Sequence, residues 1–213
     1  MLIDHWPLLG LRLRTGRLEL RLPDEEELAE LADVAAKGVH EPDRRPFLRP
    51  WSDLPPAERA REVVQRHWRR RGSWTPRDWS LDLTVFEDGH PVGIQQVGAQ
   101  DFGILREVRT GSWLGLEHQG RGIGRSMRSA VLHLAFAGLG ASEATTMSFA
   151  DNPAPLRISR RLGYRPDGIA RDIVDGEAVV TERLRLTRSD WELTDRPEVS
   201  VAGLGPCLAL FGA

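Results

Sequence analysis

The chain has 213 residues, enough for one well-cored domain, and no linker, repeat or low-complexity tract divides it, so residues 1–213 are read as a single domain. A net charge of −2 excludes broad phosphate neutralisation as a mode of binding, and no nucleic-acid partner is expected. The lone Cys207 cannot form an internal disulfide, no leader peptide opens the chain, and the longest apolar stretch, 130–140, is about half the roughly 20 residues of a bilayer span. A cytoplasmic protein with no membrane partner is the expectation.

A first strand ends at Arg21. Pro23 and the acids Asp24 to Glu27 then start a helix with Leu28, Leu31, Val34 and Ala35 as its buried stripe and Lys37-Gly38 as its stop. His40 to Pro56 is proline- and arginine-rich with Phe47 and Trp51 embedded, which predicts an ordered irregular loop. A second helix runs from about Pro56 to Arg71, its arginines forming a solvated face. Trp79, Leu81, Leu83 and Val85 alternate with polar residues, and Asp88-Gly89 turns the chain into Val92 to Val97, an antiparallel hairpin. Another strand, Val108 to Leu116, leads into Gln119-Gly120-Arg121-Gly122-Ile123-Gly124-Arg125-Ser126. Behind these glycines Ile123, Met127, Ala130, Val131, Leu134 and Ala135 recur at helical spacing. A short buried strand, Ala144 to Phe149, precedes Asp151-Asn152-Pro153 and a helix ending at Leu162-Gly163-Tyr164. A last hairpin pairs Tyr164 to Val174 with Glu177 to Thr187 around Asp175-Gly176. In the tail, Leu208, Leu210 and Phe211 suggest docking, with a second copy in a homodimer as one candidate partner.

Glycine-rich turns at a helix start present bare N–H groups and the positive end of the helix dipole, an anion site that most often takes phosphate. Arg121 and Arg125 add charge beside it. A dinucleotide fingerprint fails because its third glycine falls on Arg125 or Met127, and a P-loop fails because Gln119 stands at the glycine position and Arg125 at the lysine. What fits is [QR]-x-x-G-x-[GA], Gln119 to Gly124. By itself the hexapeptide also suits a plain tight turn; two further segments strengthen the reading. Asn152 followed by a helix and Leu162-Gly163-Tyr164, and Leu13-Arg14-Thr15-Gly16-Arg17-Leu18-Glu19-Leu20-Arg21 upstream, make the chain resemble the GCN5-related N-acetyltransferase (GNAT) family, RimJ/RimL-like branch, over about residues 11–190.

The resemblance implies an α+β sandwich with a mixed, mainly antiparallel sheet of about seven strands and helices on both faces. It implies acetyl-CoA, or another acyl-CoA, as co-substrate and a primary amine, on a small molecule or a protein N-terminus, as acceptor. Gln119, Gly120, Arg121, Gly122, Ile123, Gly124, Arg125 and Ser126 would hold the pyrophosphate. Leu114, Gly115 and Leu116 would pair with the pantetheine arm, and Asn152 would close the site. The reaction implied is direct attack of the amine on the thioester, with a strand amide near Leu114 stabilising the oxyanion.

Two departures bear on the chemistry. Relatives often carry a serine three residues after the asparagine or a tyrosine seven after it; here these are Pro155 and Ser159. Ser159 is therefore either the acid that meets the leaving thiolate or a helix serine bonded to its own backbone. Arg109 occupies a strand position where relatives carry glutamate, leaving water, anchored by Glu107 or Glu117, to take the amine proton. These departures keep open a succinyl-CoA-using enzyme and a non-catalytic CoA-binding or partner-binding module. Trp79, Arg109 and Trp113 are candidates for the acceptor pocket, the tryptophans alternatively being sheet core with Trp74. The six histidines show no metal-ligand spacing, so no metal is expected, and Cys207 reads as a small packing residue. Lys37 is the only lysine, a habit of GC-rich bacterial coding that carries no function.

Overall fold

The computed structural model describes residues 1–42, 44 and 46–213; Asp43 and Arg45, within the proline-rich loop expected to be ordered, lie outside the described residues. Among the described residues nine strands form one sheet in the order β7-β8-β6-β5-β4-β3-β2-β1-β9, and only β5 and β6 run parallel. They are β1 (Arg12–Thr15), β2 (Leu18–Arg21), β3 (Asp78–Glu87), β4 (His90–Gln100), β5 (Glu107–Leu114), β6 (Glu143–Phe149), β7 (Arg165–Val174), β8 (Glu177–Thr187) and β9 (Ser200–Ala202). The helices are α1 (Leu2–His5), α2 (Glu25–Lys37), α3 (Pro56–Gly72), α4 (Phe102–Leu105), α5 (Ile123–His133), α6 (Pro153–Arg161), α7 (Arg188–Glu192) and α8 (Leu208–Phe211).

Two strands exceed the expected seven, each for a local reason. Gly16, at φ +55°, folds the anticipated first strand into the β1–β2 hairpin. The tail supplies β9, which pairs antiparallel with β1 and covers that sheet edge. The predicted Asp88-Gly89 and Asp175-Gly176 turns have positive φ at both residues, as a two-residue hairpin of matching twist requires.

Helices cover both faces. On one, Met127, Ala130, Val131 and Leu134 of the α5 segment join Leu156 and Leu162 and the inward residues of β1 to β5 in the main core. On the other, α2 and α3 pack through Leu28, Leu31, Ala35 and Val63 against Ile94. A capping box starts α2: Asp24 Oδ1 accepts from Glu27 N–H at 2.8 Å and Glu27 Oε2 from Asp24 N–H at 2.9 Å. The tail docks on its own sheet. Phe211 is fully buried 4.8 Å from the Trp79 ring, and the Trp74 and Trp79 indoles donate to the Leu210 and Phe211 carbonyls. Cys207 is buried and packs as expected.

What positions the site is a parting of strands. β5 and β6 pair only from Glu107, Val108 and Arg109 to Glu143, Ala144 and Thr145. Beyond that β5 stays with β4 out to Leu114, while β6 stays with β8 out to Phe149, so a gap opens from Gly111 onward.

Candidate active site

A cleft of about 820 Å³ occupies that gap, within the size range of small-molecule sites. Its walls come from the open halves of β5 and β6, the starts of α5 and α6, and the loop before α3. At its mouth the chain crosses from β5 to α5 through Gly120 and Gly122, with φ of +74° and +83°, and a Cβ at either would meet nothing within 4 Å. The glycines are needed for backbone conformation and leave open space before the helix. The N–H groups of Gly120, Arg121, Gly122, Ile123 and Gly124 have no intramolecular acceptor among the described residues. The flanking amides are used locally, Gln119 to Leu116 O and Arg125 and Ser126 to Gly122 O. Five consecutive bare amides at the positive end of α5 form an anion cradle.

The expected site residues divide around it. Leu114, Leu116, Gln119, Gly120, Gly122, Gly124, Arg125, Asn152 and Trp113 line the cleft. Gln119 works through its side chain, donating to Val39 O at 2.8 Å and Leu114 O at 3.0 Å, which ties the loop to β5. Asn152 caps α6 ahead of Pro153 at its first position. Ile123 is a core residue, and Arg121 turns away to Glu87 Oε2 at 2.9 Å, so of the two loop arginines only Arg125 faces the cleft. Ser126 does not line the cleft and its N–H is spent inside the helix.

Five expectations need correction. Gly115 and Leu116 cannot offer N–H groups to a ligand strand, because Gly115 donates to Val92 O and Leu116 to Gly38 O. Alternation along β5, with the Val108 and Thr110 carbonyls accepting from Thr145 and Thr146, turns the Ser112 and Leu114 amides toward the gap instead. Trp79 is buried between Trp74, Phe102 and Phe211 in the main core, since its odd-numbered face of β3 points to α5. Arg109 is exposed in the paired half of β5, before the gap begins. Ser159 is 1% exposed; its Oγ donates to Pro155 O at 2.9 Å, the backbone-bonded alternative. The water anchors also lie elsewhere: Glu107 binds Arg185 at 2.7 Å, and Glu117 lies 3.5 Å from Lys37.

Several cleft residues escaped the sequence reading. Trp51 packs at a tilt between Phe47 and Trp113 at centroid distances of 5.3 and 5.6 Å, making an aromatic wall from the loop before α3. Gln96 reaches the cleft from β4 and is fixed through Ser80 Oγ at 2.8 Å to the buried Asp82, which Arg66 holds at 3.0 Å. Arg128 of α5 is 4% exposed and lines the floor. Its Nη1 donates to Ser159 Oγ at 2.7 Å and its Nη2 to Ser112 Oγ at 3.4 Å, and its Nε has no acceptor. Burial lowers its pKa, the nearby Tyr164 opposing. The available signal was a charged residue one turn after Gly124 inside an otherwise small and apolar stripe.

A family model described as an acetyltransferase (GNAT) domain matches residues 17–165, more than half of the chain. The chain belongs to the GNAT family. It is an N-acetyltransferase domain, and the bare amides beside the strand gap fit an acyl-CoA co-substrate. Solved structures of the same fold include a ribosomal L7/L12 α-N-protein acetyltransferase, RimL, in complex with coenzyme A (18% identity, TM-score 0.65, covering 83% of this chain and 97% of that one). A GCN5-related N-acetyltransferase from Brucella melitensis matches at 18% identity and TM-score 0.67, covering 85% and 80%. A spermidine N-acetyltransferase chimera from Vibrio cholerae and hSSAT matches at 15% and 0.65, covering 84% and 99%. Among the described residues no group of three or more His, Cys, Asp or Glu could hold a metal ion, and no helix is long and apolar enough to cross a membrane.

Proposed function

We propose that this GNAT domain, of the RimJ/RimL-like branch, moves an acetyl or other short acyl group from CoA to a primary amine by direct attack in a ternary complex. The observation that carries the reading is the row of five bare amides, Gly120 to Gly124, opening onto the gap between β5 and β6. The amides and Arg125 bind the pyrophosphate, and Arg157 and Arg161, which also face the cleft, meet further phosphate charge. The Ser112 and Leu114 amides, aimed into the gap, orient the arm and stabilise the oxygen that gains charge as the amine attacks. The acceptor enters beside Phe47, Trp51 and Trp113, where Gln96 offers a carbonyl held in place through Ser80 and Asp82. Glu41 is the one carboxylate lining the cleft among the described residues, and the amine proton passes to water.

A succinyl or similar carboxylated acyl chain is the second reading, favoured by the excess of arginine over acid in the cleft. Arg109 lends it no support from its exposed place, and equally no longer motivates a non-catalytic module.

Calorimetry with acetyl-CoA, succinyl-CoA and CoA, followed by thiol release with a panel of amines, tests the proposal. Acetyl-CoA should bind, and Gly122→Val should weaken it about 100-fold, because a branched side chain at positive φ strains the turn and intrudes on the phosphates. Silence toward every acyl-CoA and toward CoA would refute it.

A further inference from the structure

Arg128 lies where β5 and β6 have just parted, behind the anion cradle, between Ser112 on β5 and Ser159 on α6. A guanidinium does not shed its proton, so it is a buried cation, and among the described residues no carboxylate stands within ion-pairing distance of it. Its two donor bonds go to neutral hydroxyls, and Nε goes to nothing. Tyr164, buried beside it, is bonded to Thr110 Oγ1 at 3.3 Å, and burial raises its pKa, so it stays neutral as well. A fold that holds one uncompensated cation at the floor of a cleft is arranged for negative charge that arrives there. Ser159 does not supply a proton in its place, since its own proton goes to Pro155 O.

We propose that the Arg128 guanidinium receives the negative charge of the departing CoA sulfur, so that the carrier leaves as a thiolate held by a fixed cation and no side-chain acid is used. This rests on the acyl-CoA reading above. The amine lone pair forms the new C–N bond, the C–S bond breaks with its electron pair passing to sulfur, and the amine proton goes to water. The thiolate is protonated by solvent after release. Ser112 and Ser159 are positioning residues that hold the guanidinium plane across the gap.

The test compares binding of CoA with that of dethio-CoA, which lacks the sulfur, as pH rises. An ordinary thiol ionises near 8.5, and a cation that lowers this by about one unit makes CoA gain about tenfold over dethio-CoA between about pH 6 and about pH 9.5. Phosphate ionisation cancels between the two ligands. Arg128→Met should flatten the ratio and Arg128→Lys should keep part of its rise. The wild-type ratio decides even if a variant fails to fold. A pH-independent wild-type ratio, with both ligands bound, overturns the inference and leaves the acyl-CoA reading standing. No binding of either ligand overturns both. A flat ratio together with Arg128-dependent preference for succinyl-CoA over acetyl-CoA also overturns it, assigning the guanidinium to an acyl carboxylate.

Discussion

At the paired end of β5 and β6, Arg185 meets Glu107 at 2.7 Å, Asp167 at 3.0 Å and also Glu143, while at the open end Arg128 meets two serine hydroxyls. Bonding to Asp167 and Glu107 raises the Arg185 pKa, whereas burial lowers that of Arg128. The cation beside the closed end of this strand pair thus has carboxylate partners, and the cation beside the open end has none among the described residues. His67 supplies the control. Both its ring nitrogens are buried without partners, yet burial, aided by the charge of Arg71, pushes its pKa down to about 3, so it is neutral. An orphaned group that can lose its charge does so; arginine cannot, and a cation maintained at the cleft floor at that cost marks a place for an anion.

Breaking the open end should have the largest effect. Arg128→Met should lower kcat about 100-fold, the scale of one lost transition-state donor, with KM for acyl-CoA changed far less. Steady-state kinetics with any accepted amine measures this, with kcat referred to the fraction of variant that binds CoA, because a misfolded fraction would also lower kcat at unchanged KM. The control follows next in size. The unfolded chain protonates His67 below its ordinary 6.5, while the fold resists until about 3, so stability is intact above 6.5 and falls as pH drops through that window. Between pH 7 and pH 5 the loss should be about 2 kcal/mol, and urea unfolding should show it absent from His67→Leu.

At the closed end, Arg185→Met should cost about 1 kcal/mol, given that its partners are partly solvated, and leave the affinity for acetyl-CoA unchanged. One of these carboxylates, Asp167, sets an acid limit. Bonding to Arg185 holds the Asp167 pKa below its ordinary value, so its contribution is full above that value and disappears as pH falls through the folded one. The smallest effect is expected from Ser159→Ala, within about threefold on kcat, because Arg128 keeps Ser112 and the serine proton was never available. A loss of 100-fold there, with the rise of the CoA to dethio-CoA ratio with pH unchanged, would return the acid role to Ser159.

The parts of this fold written in short-range chemistry were legible. Asp24 and Glu27 announced the start of α2, Asp88-Gly89 and Asp175-Gly176 announced two hairpins, and the glycines of 120–124 announced the cradle. What depended on which neighbour a strand keeps was not. Trp79 and Trp113 look alike as strand aromatics, and only the registers in which β3 and β5 each pair with β4 send one into the core and the other to the cleft. Gly115 looked like a ligand-binding amide, but its N–H donates to the Val92 carbonyl of β4. Arg109 was placed in the pocket by likeness to relatives, but the point where β5 and β6 separate is set by β8 and β4 holding them apart. Arg128 needed three elements, α5, β5 and α6, to meet before its isolation could be seen.

The most direct measurement of the central claim is amide hydrogen exchange over residues 120–124 with and without acetyl-CoA. These N–H groups have no internal acceptor, so they should exchange fast in the free protein and slow markedly when the pyrophosphate takes their bonds. Binding of acetyl-CoA with unchanged exchange across 120–124 would place the ligand elsewhere and contradict the account.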